Sequence, residues 1–358
     1  MTARPRTTRA AILASLRQPL IVDEVSLPSE LDVGQILIQI VCSGICGAQI
    51  NEIDGVKGDD PFLPHLLGHE GFGKVVETGP GVTNVKAGDS VVLHWKKGRG
   101  IESRPPEFLW RGARLNAGWV TTFSEYSIVS ENRVTAVAAD VNPEVAALFG
   151  CAVTTAFGVM QNNAHLKIGE SVVVFGAGGV GLNVIQVAAL MSADPIVAVD
   201  LHPAKLDMAR RCGATHVINA RADDLKSGLS GILGPAGADV VVETTGQKSV
   251  IETAYEISGP QGRVVLVGVP KKGDAISIYS LPLHFGKVLT GSHGGDARPE
   301  VDIPRYLRLY HKGLLPLDGI ITDRFSLNDI NTAIDRLRTG DIAGRCVIHP
   351  GRSGEAAC

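Results

Sequence analysis

Long uninterrupted apolar runs are missing from this 358-residue chain. No segment approaches the ~20 apolar residues that a bilayer-spanning helix requires. The basic N-terminal stretch has Arg9, Ser15 and Arg17 interrupting its apolar part, so no secretory core is read there. Cysteine is sparse: Cys42, Cys46, Cys151, Cys212, Cys346 and Cys358 are scattered over the whole chain. That scatter excludes the dense disulfide framework of a small secreted domain and predicts reduced thiols, any functional ones serving as metal ligands. An excess of one charge is also lacking, since 34 Lys and Arg face 37 Asp and Glu for a net charge of −3. Neither nucleic acid nor an anionic membrane is therefore expected as a partner. Repeats and low-complexity tracts are absent, and a cytoplasmic globular protein is expected.

The length exceeds what one hydrophobic core usually supports, which predicts two domains. Up to about residue 150 the chain is rich in glycine and β-branched residues. The runs Gln35–Val41, Lys74–Thr78 and Ser90–His94 read as short strands between turns, in a compact, barrel-like β domain. Past Thr154 the character changes. Strands are expected at Val172–Phe175, Pro195–Val199, Val240–Glu243 and Val264–Val269, with helices at Val180–Met191 and Pro203–Cys212. Such alternation implies βαβ units and a parallel sheet covered on both faces. After Gly294 the pattern changes again. Ser326 is positioned to cap a helix carrying Ile330, Ala333, Ile334 and Leu337, stopped by Gly340. The tail from Gly351 to Cys358 is expected to fray.

Gly176-Ala-Gly178-Gly179-Val180-Gly181 directly follows an apolar strand and opens a helix, and Asp200 closes the next strand. In such a turn the first glycine permits the bend, the second lets backbone approach a pyrophosphate, and the third lets helix and strand pack closely. The pyrophosphate then meets the positive end of the helix. Asp200 can accept hydrogen bonds from both adenosine ribose hydroxyls and would repel a 2′-phosphate, favouring NAD over NADP. The competing view is a structural turn with a chance acid downstream.

Cys46, His69 and Cys151 are possible metal ligands, although each alone is more simply a packed core residue. Two thiolates and one imidazole would leave a fourth tetrahedral position open, as at a catalytic zinc. Spacing alone cannot assemble them. The runs Gly44-Ile45-Cys46-Gly47, Gly68-His69-Glu70 followed by Gly71 and Gly73, and Gly88-Asp89 resemble the catalytic domain of zinc-dependent alcohol dehydrogenases, within the medium-chain dehydrogenase/reductase superfamily. The segment Gly150-Cys151 to Thr154-Thr155 and Gly158 is similar to the part joining that family's two domains, and the resemblance runs from Ala10 to about Val347.

The resemblance implies an α/β two-domain fold. A GroES-like β-rich catalytic domain would occupy residues 1–152, completed by 294–358, and a Rossmann doubly wound parallel sheet residues 153–293. It implies Cys46, His69 and Cys151 as zinc ligands, with Glu70 as a carboxylate behind the metal. Thr155, Val180 and Val267 would line the nicotinamide and Lys205 lie near the adenosine ribose. Arg345 falls one residue out of register with an arginine that contacts the pyrophosphate. A homo-oligomer, dimer or tetramer, is expected.

Three departures from the family pattern bear on chemistry. Ala48 replaces the hydroxyl that receives the alcohol proton, Asn51 replaces the imidazole that passes it on, and Gln49 replaces a carboxylate that orients the zinc-bound histidine. His65, His94, water or a substrate hydroxyl could substitute, although both histidines also read as ordinary surface or core residues. Secondly, no four-cysteine cluster follows Gly88-Asp89, so one catalytic zinc and no structural zinc are expected. In its place stands a basic stretch, with Lys96, Lys97, Arg99, Arg104, Arg111 and Arg114 against Glu102 and Glu107. Arg99, Arg104 and Arg111 could hold an anionic substrate handle, or the stretch could be a solvated loop or subunit interface. Thirdly, Trp95 falls at a substrate-pocket position, opposite Ala48, where an indole face suits a ring-shaped polar molecule; plain core packing is the alternative.

The expected activity is hydride transfer between NAD(H) and a secondary alcohol or ketone, of polyol, cyclitol or sugar type, in a biosynthetic pathway. A glutathione-linked formaldehyde dehydrogenase and a catalytically silent NAD-binding structural protein are the alternatives.

Overall fold

A computed structural model describes residues 4–351. Cys358 and the rest of the tail expected to fray, apart from its first residue Gly351, lie outside the described residues. The chain forms two compact units, Met1–Cys151 with Arg298–Lys312 and Pro316–Cys358, and Ala152–Ala297 with Gly313–Leu315.

The first unit is built on the strand Gln35–Gly44, which pairs antiparallel with Glu70–Thr78, Tyr126–Ser130 and Arg345–His349. Its apolar run is nearly continuous because both faces are covered. Ile36, Ile38 and Ile40 pack with Val75, Val91 and Leu93. Leu37 faces the other way, onto Ala10, Ile12, Phe108 and Ile128. The late strand Arg345–His349 closes this early sheet by pairing Val347 with Gly44 and Ile348 with Ser43. A second sheet orders His65–Leu66, Thr7–Leu13, Ile21–Ser26, Phe108–Trp110 and Ala113–Leu115.

The helix Ile330–Thr339 buries Ile330, Ala333 and Ile334 and ends at Gly340, whose φ of 80° is left-handed. Its capping differs from expectation. Ser326 precedes a single 3-10 turn, Leu327–Asp329, and its hydroxyl donates to the Asp329 carboxylate at 2.6 Å rather than accepting a helix N–H. A carboxylate three residues on captured the hydroxyl, and the extra turn moved the start of the helix to Ile330.

The second unit is a six-stranded sheet in the order His216–Asn219, Ile196–Asp200, Val172–Phe175, Ala238–Glu243, Ser258–Leu266 and Val288–Gly291. Every neighbouring pair is parallel. Numbered along the unit, that order is 3-2-1-4-5-6, with the reversal of direction beside Val172–Phe175, where a dinucleotide site is expected. The fifth strand stops at Leu266, short of Val269. The N–H groups of Val267 and Gly268 both converge on the Glu243 carbonyl, at 2.8 and 3.0 Å, and turn the chain away.

Candidate zinc centre and coenzyme turn

Cys46 lies two residues beyond the strand Gln35–Gly44, in an extended conformation, and is the N-cap of the short helix Gly47–Ile53, which carries Gln49. His69 stands between the strands His65–Leu66 and Glu70–Thr78, after Gly68 at a φ of 91°. A side chain on Gly68 would meet the Thr122 hydroxyl and backbone, so the turn that delivers His69 is open only to glycine. Cys151 follows the helix Pro143–Leu148. These three residues, up to 105 positions apart in sequence, bring ligand atoms within 4.8 Å of one another. The Cys46 thiol is held well below the ordinary thiol range, first by its hydrogen bond with Cys151 and then by His69 and Arg345, against the opposing effect of burial.

His69 Nδ1 lies against the Gln49 side-chain amide. His69 Nε2 and Gln49 Oε1 are both buried with no hydrogen-bond partner among the described residues. A metal ion resolves both orphans. A zinc on Nε2 requires the proton on Nδ1, which then needs an acceptor, and the Gln49 oxygen supplies one once the amide is turned about its last torsion. Two buried thiols and an unpartnered imidazole nitrogen are therefore a donor set that fits zinc.

Glu70, fully buried, receives Arg345 Nη2 from the closing strand. Space for this pair comes from two glycines. A Cβ on Gly44 would sit 2.5 Å from Glu70 Oε1, and one on Gly150 would sit 2.9 Å from Glu70 Cα. Arg345 thus has its guanidinium on Glu70 and beside Cys46, which the family register did not anticipate. Its Nη2 donates to that buried carboxylate.

In the second unit each glycine of the turn shows a separate reason. Gly176 has a φ of 89°; a Cβ on Gly181 would lie 1.9 Å from the Gly176 oxygen; and one on Gly178 would meet nothing within 4 Å. The middle position is thus open to an approaching ligand while the outer two are closed by protein. Gly179 is the first residue of the helix Gly179–Leu190. Asp200 accepts the Ala177 N–H at 2.8 Å through one oxygen and the His202 N–H at 3.0 Å through the other, which fixes its carboxylate beside the turn. Val180 and Lys205 are half-buried in the first turns of the helices Gly179–Leu190 and Pro203–Arg211, Val267 is half-buried just past the strand Ser258–Leu266, and Thr155 is buried in the helix Ala152–Gly158.

The two histidines considered for proton transfer separate clearly. His94 is buried, its Nδ1 donates to the Lys96 carbonyl at 2.7 Å, and its Nε2 meets the Thr135 hydroxyl at 3.0 Å. Burial pushes its pKa down to about 4. It is a neutral core residue, which removes it as a relay. His65 lines a cavity of about 430 Å³ that Gln49 and His69 also line. Sequence reasoning missed the partners of His65, which are Asp60 at 2.8 Å and Glu52 at 3.9 Å.

Trp95 is half-buried with its ring centroid 6.4 Å from that of His69, and Ala48 is half-buried. The structure does not bring Arg99 or Arg104 to the cavity that His69 lines. The basic stretch is mostly tied down locally. Lys97 pairs with Glu102, Arg114 with Glu107, and Arg111 with Asp23 while stacking on Trp110. Glu131 gathers the N–H groups of Thr83, Asn84 and Ile101 at 2.7 to 2.9 Å and braces the stretch from the side of Ile101.

Comparison with known proteins agrees with both units. Residues 32–139 match the alcohol dehydrogenase GroES-like domain, and residues 179–312 match the zinc-binding dehydrogenase family. The chain is 33% identical to the alcohol dehydrogenase class-3 of Cereibacter sphaeroides, covering 93% of this chain and 97% of that protein. It is 32% identical to the S-(hydroxymethyl)glutathione dehydrogenase of Paracoccus denitrificans, over 96% of this chain and all of the relative. The crystal structure of benzyl alcohol dehydrogenase from Acinetobacter calcoaceticus superimposes with a TM-score of 0.86 at 26% identity, over 96% of this chain and 99% of that one. The chain belongs to the zinc-dependent medium-chain alcohol dehydrogenase family. It is an oxidoreductase enzyme with a GroES-like β-rich part and a Rossmann-type part. Among the described residues no helix is long and apolar enough to cross a membrane.

Proposed function

We propose that the protein is a cytoplasmic, NAD(H)-dependent dehydrogenase of a secondary alcohol or ketone, of polyol, cyclitol or sugar type, with one catalytic zinc and no structural zinc. The observation that carries this reading is the convergence of Cys46, Cys151 and the unpartnered Nε2 of His69. We take residues 1–152 with 294–358 as its catalytic domain and 153–293 as its coenzyme domain.

Zinc, when bound, supplies Lewis acidity that lowers the pKa of an alcohol hydroxyl or polarises a carbonyl. The Cys46 and Cys151 thiolates and His69 would hold it. Gln49 orients the His69 ring, and Glu70 with Arg345 fixes the charge behind Cys46. Gly178 leaves room for the coenzyme pyrophosphate, and Asp200 accepts the adenosine ribose hydroxyls with its remaining lone pairs. Thr155, Val180 and Val267 pack the nicotinamide, and Lys205 borders the ribose. Trp95 and Ala48 shape the substrate side.

The cavity beside His69 supports a hydroxylated substrate, because Glu52, Asp60, His65 and Asn116 line it together with Trp119. A glutathione adduct is a second reading, favoured by the names of the relatives. Glutathione is anionic, however, and this wall carries two carboxylates, while its Arg114 is already paired with Glu107. A homo-oligomer is supported by the sheet edge Val288–Gly291, around which Tyr279, Leu281, Leu283, Phe285 and Val288 are exposed. Turnover of polyols, cyclitols, sugars and S-(hydroxymethyl)glutathione by zinc-loaded enzyme, followed by NADH absorbance, tests the substrate. Preferred oxidation of the glutathione adduct would reject the polyol class.

A further inference from the structure

With Ala48 and Asn51 in place of a hydroxyl and an imidazole, the proton released when an alcohol becomes a carbonyl needs another acceptor. We propose that His65, held by Asp60, is that acid–base residue. This rests on the dehydrogenase reading above and adds to it the identity of the proton carrier.

Three observations support it. His65 shares its cavity with His69 and Gln49, so a water or substrate entering it would adjoin both that metal ligand and the His65 ring. Its two ring nitrogens face acceptors: Nδ1 donates to the Leu66 carbonyl at 2.9 Å, and Nε2 meets Asp60 Oδ2 at 2.8 Å. A carbonyl and a carboxylate are both acceptors, so the site offers a partner to a proton on either ring nitrogen, including the one loaded during turnover. Asp60 is itself fixed, because its other oxygen accepts the Phe62 N–H at 2.9 Å. Finally, Glu52 approaches the loaded nitrogen at 3.9 Å with a side chain 39% exposed, which gives the proton a way out to solvent. The remaining charged side chain on this wall, Arg114, is paired with Glu107 at 2.9 Å, and Asn116 bridges to the His65 strand. His94, the other candidate, has both nitrogens committed inside the core.

In alcohol oxidation the carbinol C–H bond breaks, its electron pair leaves as hydride to C4 of the oxidised nicotinamide, and the C=O bond forms. The hydroxyl proton crosses the cavity on water or on a second substrate hydroxyl to Nε2 of neutral His65. The imidazolium then takes up the Asp60 hydrogen bond and passes the proton by Glu52 to solvent. Reduction runs the same path backwards.

The test is the zinc-loaded holoenzyme carrying His65→Gln, assayed across pH with the best alcohol from the panel. General acid–base groups contribute typically 10²–10⁴-fold, so kcat/KM should fall about 100-fold or more. The rise of the wild-type rate with pH should lose its inflection, and added imidazole should restore part of the rate, with zinc content and NADH binding unchanged. A rate within twofold of wild type, or a fall that keeps the inflection and resists imidazole, overturns the proposal. Should His65→Gln not fold, Asp60→Asn serves, because loss of the carboxylate must move the inflection to lower pH, and an unmoved inflection is equally fatal. Absence of any alcohol or carbonyl turnover in the wild type would instead reject the dehydrogenase reading and this proposal with it.

Discussion

Arg345 donates through Nη2 to Glu70 across 275 positions of sequence, and both side chains are almost wholly buried. The strand that carries Arg345 is hydrogen-bonded beside the strand that delivers Cys46, so this ion pair ties the end of the chain to the metal centre. Taking either partner away strands a charge in the core, which typically costs about 3–5 kcal/mol. Arg345→Met should therefore destabilise the protein by an amount of that order, read by denaturant unfolding. Outer partners of metal ligands commonly change metal affinity 10–100-fold, so zinc retention against a chelator should weaken as well. Stability and zinc affinity equal to wild type would show the pair to be incidental.

The metal census follows from the donor set. Purified protein should hold about one zinc per chain, and Cys151→Ser should lose it together with activity. A stoichiometry near two would mean that another cluster binds zinc.

Coenzyme choice turns on Asp200. NAD should be preferred over NADP by at least about tenfold, or ~1.4 kcal/mol. Asp200→Asn keeps an acceptor for the Ala177 N–H but removes the charge, so it should relax the preference without collapsing the turn. An unmodified enzyme that uses NADP equally well would contradict this.

The parts of the molecule that could be read from sequence are those whose cause is local. Gly176, Gly178 and Gly181 stand where backbone sterics demand them, and each reason depends on atoms of the same strand–turn–helix unit or its neighbour. Glu70 could be recognised, but its partner could not, because which arginine reaches a buried carboxylate depends on how the last strand closes the first sheet. His65 and His94 are the same residue type in similar apolar runs. Only long-range burial makes one a cavity residue and the other a neutral core residue. The role of Glu131 was equally invisible, since a single glutamate collecting three backbone N–H groups leaves no motif. Ser326 shows the opposite failure, a local signal overridden by a local competitor, Asp329.

The burial of His94 makes stability depend on pH with a definite sign. Its pKa falls from the ordinary 6.5 to about 4 in the folded protein, so between those values the unfolded chain binds more protons. Stability must then drop as pH is lowered through that window. The loss from this group between pH 7 and 5 is about 2 kcal/mol. Fluorescence-detected urea unfolding at both pH values should show a smaller difference in His94→Gln than in wild type, because the variant carries no titrating ring there. The same variant should keep the wild-type pH–rate profile, in contrast to His65→Gln. A pH–rate inflection lost in His94→Gln would return this residue to the reaction.

Arg99 and Arg104 provide the last prediction. Both are exposed, and neither borders the cavity shared by His65 and His69. Arg104 instead lines a separate hollow with Pro28, Asp32 and Glu107, where its carbonyl accepts the Gln35 amide at 3.1 Å. Their neighbours Lys97, Arg111 and Arg114 are already neutralised by Glu102, Asp23 and Glu107. The stretch is thus braced by its own ion pairs, by the Phe108–Trp110 and Ala113–Leu115 hairpin, and by Glu131 on the Ile101 N–H. Arg99→Ala and Arg104→Ala should leave the Michaelis constants of a phosphorylated substrate and its unphosphorylated analogue in the same ratio as wild type. Raising salt from 0.05 to 0.5 M, estimated from a screening length of ~10 Å at 0.1 M, should change that ratio by less than about twofold. Glu131→Ala should do the larger damage, since each of the three backbone N–H bonds to its carboxylate contributes about 1.5–3 kcal/mol. A selective loss of the phosphorylated substrate in either arginine variant would instead give this stretch a binding role.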